Sequence, residues 1–173
     1  MKETLLHMVI KENIELIKTK PTDLEHHASL AEAYRLLTKH YQDPRKANPV
    51  HEPLYVSPEY ASQEMLDKFQ RSAHRALEEF KILDTYAPND PWVHAQMASI
   101  YHDLELPEEE IRAYEAILRI RPDETEILFR LGVLYFSQGR NAQALCLYEQ
   151  LHEAQDNKAA ELLSYYDAYA IVD

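Results

Sequence analysis

Nine histidines, one cysteine and a run of three glutamates carry most of the reactive chemistry in this 173-residue chain. A metal centre needs several of them to converge. His26 and His27 are adjacent, so on a helix they point to different sides. His94 and His102 are eight residues apart, about two turns, too far for one ion without further ligands. There is no His-Glu-x-x-His, and Cys146 has no second cysteine to pair with. No metal and no cofactor are expected. Cys146 lies in no reactive-cysteine pattern and reads as a small helix-filling residue. Glu108, Glu109 and Glu110 follow Pro107, where acidic side chains complement a helix start. Only two glycines are present, Gly132 and Gly139. A phosphate-cradling loop needs glycines at fixed offsets, and neither G-x-G-x-x-G nor G-x-x-x-x-G-K occurs. No nucleophile–base pair, ligand set or phosphate loop remains, so the expectation is a protein that is not an enzyme.

Charge removes further classes. The chain has 18 Lys+Arg against 30 Asp+Glu, a formal charge of −12. Nucleic-acid binding and docking on an anionic membrane both need a basic face. No apolar run approaches the ~18 residues of a membrane span. The N-terminus carries Glu3 and no small-residue cleavage site, unlike a signal peptide. A single cysteine suits a reducing compartment, which implies a cytoplasmic location. Scarce glycine with abundant Ala, Leu, Glu and Tyr points to an all-α chain.

The elements that position these residues repeat. Leu77, Ile111 and Leu145 are spaced by 34, as are Phe80, Tyr114 and Tyr148, and Leu83, Ile117 and Leu151. Pro88 and Pro122 keep the same interval. Each unit reads as two helices. Val93, Met97, Ile100, Tyr101 and Leu104 share one helical stripe, and Pro107 begins a second helix that stops before Pro122. A third unit runs from Glu126 to Ser137, turns at Gly139, and continues from Ala142 to Ala154.

This period and pattern resemble the tetratricopeptide repeat family over residues 24–41 and 74–156. The first helix of that repeat carries a Leu, a small residue and an aromatic three further on. Leu30-Ala31 with Tyr34, Met97-Ala98 with Tyr101, and Leu131-Gly132 with Tyr135 match. In the second helix Ala76, Phe80 and Pro88 match fully, and Ala144 with Tyr148 match in part. Glu110 stands where a small residue is expected. The resemblance implies an α-solenoid of about three helix-turn-helix units: repeat 1 over 24–88, repeat 2 over 91–122 and repeat 3 over 125–156. A cap helix is expected at each end, over 1–20 and 158–172, because a solenoid must solvate its terminal faces.

Repeat 1 holds about 33 extra residues. The segment 42–57 contains Pro44, Pro49 and Pro53 without periodicity and reads as a loop. From Ser57-Pro58 onward, one long helix is expected over 58–87, about 43 Å at ~1.5 Å per residue. Tyr41, Tyr55 and Tyr60 flank this insertion and form a candidate secondary interaction surface.

In the family, first helices line a concave groove that receives a peptide or a partner helix. The groove positions of this chain are Trp92, Gln96, Ser99 and His102, then Phe129, Arg130, Val133 and Phe136. Trp92, Phe129, Val133 and Phe136 are apolar where a solvated face would be polar. A partner protein would cover them, or the C-terminal helix or a second copy would, which leaves a homodimer open. The family's carboxylate clamp for heat-shock chaperones is not matched: Ala28, Glu32, Gln96 and Glu126 replace its cationic and amide residues, and only Arg130 fits. The function implied is a non-enzymatic protein-interaction module or adaptor. Two narrower readings remain: a chaperone of the type III secretion kind, holding an apolar segment of a secreted protein, and a structural subunit docking through 42–57 and the long helix.

Overall fold

The computed structural model describes residues 1–47 and 57–170, with side chains over 1–45 and 57–166. These residues form α1 (Lys2–Thr19), α2 (Leu24–Tyr41), a single turn α3 (Pro44–Ala47), a 3-10 turn (Pro58–Ala61), α4 (Gln63–Tyr86), α5 (Pro91–Asp103), α6 (Pro107–Ile120), α7 (Thr125–Ser137), α8 (Asn141–Glu153) and α9 (Lys158–Ala170). No strand occurs among the described residues. The chain divides into two compact units, Met1–Pro88 and Asn89–Asp173.

In unit 1, Asp23 caps α2 by accepting from the Glu25 amide at 3.2 Å. α2 then packs along α4 with α1 on its other side. The α2–α4 seam buries small residues: Ala31, Ala73 and Ala76 are fully buried, as is Phe80 of α4. Thr38 donates to the Ser72 hydroxyl at 3.1 Å across this seam. A second cluster joins Leu6 and Ile10 of α1 to Leu30, Leu37 and Tyr41, with Met65 and Phe69 against it. Buried Asn13 is satisfied by the Val9 carbonyl at 2.9 Å and Ser29 Oγ at 3.1 Å.

The expected continuous helix over 58–87 is interrupted. Ser62 is extended (φ −76, ψ 147) and its hydroxyl accepts from the Met65 amide at 3.2 Å. The cause lies in two N-cap signals five residues apart: Ser57 starts the 3-10 turn at Pro58, and Ser62 starts α4. The segment 42–57 is not loop throughout, since Asp43 accepts from the Arg45 amide at 3.0 Å and one helical turn follows. Its residues 48–56, including Pro49, Pro53 and Tyr55, lie outside the described residues.

Unit 2 consists of two helical hairpins and α9. Asp90 caps α5 through the Trp92 amide at 2.9 Å, and Pro91 and Pro107 occupy first turns. α5 ends with the Leu106 amide bonded back to the Tyr101 carbonyl at 2.9 Å, and α7 ends with Arg140 bonded to Tyr135 at 2.8 Å. Both are 6→1 bonds that require a left-handed residue between. Gly139 supplies it at φ 69, whereas Glu105 adopts φ 58 with a full side chain. α8 closes in the same way through Gln155 at φ 55. Gly132 lets α9 approach α7: a Cβ there would lie 2.6 Å from the buried Leu162 side chain.

Candidate functional site

The first helices of unit 2, α5 and α7, present an open cleft of about 570 Å³. Ala95, Ser99 and His102 form one wall, and Phe129, Arg130 and Val133 the other. Glu110 and Tyr114 of α6 lie at its floor and Tyr165 of α9 at its edge. The helix caps hold α5 in register, and the close Gly132–Leu162 contact holds α9 against α7.

A polar network runs through the cleft. Buried Glu110 faces His102 Nδ1 at 3.3 Å. This explains how a carboxylate replaces the small residue expected there: it enters the packed layer hydrogen-bonded instead of bare. Tyr114 lines the same cleft beside Glu110 and Arg130. Burial, with the Glu110 charge behind it, pushes the Tyr114 phenol above its ordinary range. Arg130 Nε donates to Glu126 Oε1 at 2.7 Å, and this bond holds the guanidinium charged. Lys158 of α9 stands 3.8 Å from the other Glu126 oxygen. The walls therefore offer half-buried apolar surface from Phe129 and Val133 beside a cation and an imidazole, both exposed on the cleft face.

The structure sorts the expected groove residues. Ser99, His102, Phe129, Arg130 and Val133 come together in the cleft. Phe136 does not: it is 2% exposed and packs on Tyr166 of α9, with ring centroids 5.5 Å apart. It lies seven residues after Phe129 on the stripe that α9 covers, and Phe129 meets Tyr165 edge-on at 6.1 Å. Trp92 is exposed at the start of α5 and Gln96 is half-buried, and neither lines the cleft. Tyr41 is buried, donates to Glu3 at 2.7 Å and carries Lys68 over its ring, so it is a packed residue and not a free surface. Tyr60 is half-buried in the 3-10 turn, and Tyr55 lies outside the described residues. Sequence reasoning missed Glu110, Tyr114, Glu126 and Tyr165. Of these, only the Glu126–Arg130 spacing of four carried a readable signal.

Among the described residues no three His, Cys, Asp or Glu side chains group to hold a metal ion. No helix of those residues is long and apolar enough to cross a membrane.

A tetratricopeptide-repeat family model matches residues 93–124, which span α5 and α6. The chain carries a tetratricopeptide repeat. Its backbone superposes on the crystal structure of a thermophilic tetratricopeptide-repeat protein from Thermus thermophilus, with a TM-score of 0.54 and 20% identity. That alignment covers 98% of this chain and 75% of the other. The MamA RS-1 ArsTM double mutant aligns over 96% of this chain and 97% of its own, with a TM-score of 0.44 and 17% identity. Among curated proteins none matches in sequence. The fold is all-α, of the tetratricopeptide solenoid class, and the cleft lies between the first helix of the matched repeat and the first helix that follows it.

Proposed function

We propose that this protein is a non-enzymatic interaction module that takes a segment of a partner protein into the α5–α7 cleft. The observation that carries the reading is the composition of that cleft. It pairs apolar area at Phe129 and Val133 with the polar groups of Ser99, His102 and Arg130, in a concavity of about 570 Å³. Concave surfaces of this kind bury apolar anchors and fix orientation through a few polar groups. Edge coverage by Tyr165 narrows the cleft without filling it. Arg130 and His102 lie beside the carboxylates of Glu126 and Glu110, so the cleft favours a partner segment with apolar side chains and neutral hydrogen-bonding groups over a carboxylate terminus.

Val133→Asp places a charge on the apolar wall. A protein that co-purifies with the wild type should be lost from this variant while its helical melt stays within a few degrees. Ser99→Arg, which fills the opposite wall, should lose the same protein. Retention by both variants would overturn the assignment.

A further inference from the structure

Unit 1 contains a second cleft, of about 370 Å³, between α1 and α4 over the side of α2. In a chain of net charge −12 its lining has the opposite sign. Lys68, Arg71 and Arg75 stand along the α4 wall at spacings of three and four, one helical face over about 10 Å. His7 faces them from α1. The base is Leu37 with the rings of Tyr34 and Tyr41. The one acidic side chain in the lining, Glu3, is already engaged as acceptor of the Tyr41 hydroxyl at 2.7 Å.

We propose that this cleft docks a short acidic segment of a protein partner. Charge complementarity carries the assignment. Arg71 donates only through Nε to the Asp67 carbonyl, and no carboxylate among the described residues forms an ion pair with it. Lys68 and Arg75 reach Glu64 and Glu78, but these carboxylates are 76% and 60% exposed, and such pairs exchange cheaply for a better-buried acid. An extended segment advances ~3.3 Å per residue, so acidic residues at alternate positions fall ~6.6 Å apart and can meet two or three of these cations. Apolar or aromatic side chains between them would lie on the half-buried ring of Tyr34. A long polyanion is disfavoured, because its flanks would run past the acidic remainder of the surface. The inference rests on unit 1 alone and is independent of the α5–α7 cleft.

The test is fluorescence anisotropy on the full chain with a labelled peptide of about eight residues, glutamate alternating with phenylalanine, beside a glutamine-for-glutamate control. The glutamate peptide should bind and the control should not. Arg71→Glu should weaken binding at least about tenfold, and Arg75→Gln should weaken it to a smaller degree. Val133→Asp should leave it unchanged, which separates this site from the other cleft. Equal binding of the control peptide would overturn the proposal, as would an unchanged affinity in Arg71→Glu. So would tighter binding of a single-stranded DNA of equal charge, or a doubled solution mass that Arg71→Glu abolishes.

Discussion

His27 shows how a single side chain ties unit 1 to pH. It is 4% exposed, with Nδ1 at 2.6 Å from Glu79 and Nε2 at 3.0 Å from the Pro21 carbonyl. Burial opposes its positive charge, but the Glu79 and Pro21 bonds outweigh burial, and its pKa stands above the ordinary 6.5. A raised folded pKa stabilises fully below the unfolded value and loses that contribution as pH rises through the folded value. The melting temperature should therefore fall as pH rises above the ordinary histidine value of 6.5, and His27→Gln should flatten that slope. An identical slope in both proteins would contradict the role. Gln155 makes a simpler case: its φ of 55 ends α8 in a region that costs a non-glycine residue ~1–2 kcal/mol. Gln155→Gly should raise stability by about 1 kcal/mol by denaturant titration, net of glycine's own entropy. In the sequence His27 stood out only as the neighbour of His26, and Gln155 did not stand out at all. The pattern at α7 gave Gly139, while the same turn at Glu105 and Gln155 uses residues that carry no turn signal.

The close pairing of helices rests on small residues whose partners come from elsewhere in the chain. Gly132 is legible as a repeat position, yet its neighbour, Leu162 on the terminal helix, is not. Gly132→Ala gains ~1 kcal/mol of helix propensity but forces Leu162 out of a fully buried site, which costs ~1–3 kcal/mol. The substitution should destabilise the wild type and stabilise a Leu162→Ala background, a reversal that a double-mutant cycle reads directly. Additive effects would show that α9 does not pack there. The helical hairpins were readable because the 34-residue period ran through them, reinforced by Asp90 and Pro91 at α5 and by Pro107 at α6. The break at Ser62 was not, since both Ser57 and Ser62 head a plausible helix and only geometry separates them. Leu145 keeps the 34-residue period with Leu77 and Ile111 but is 37% exposed, because a period reports residue class and not what packs over it.

Across the whole molecule the fold class followed from the repeat, and it is shared with the Thermus structure over 98% of the chain. The candidate site was legible only in part. Five of its expected residues converge, but Phe136 turned inward because the stripe that exposes a first helix to a groove is also the stripe that a terminal helix covers. The polar floor of Glu110 and Tyr114 comes from the second helix, whose repeat position marks it as packing. The most direct measurement of the central claim is site-specific photo-crosslinking in cells of the source organism, with a benzophenone side chain at Ser99 in the cleft or at Glu149, exposed on α8. A discrete protein adduct at Ser99, absent at Glu149 and lost when Val133→Asp is added, is the predicted result. Adducts of equal yield at both positions, or one at Ser99 that survives Val133→Asp, would contradict a partner seated in the α5–α7 cleft.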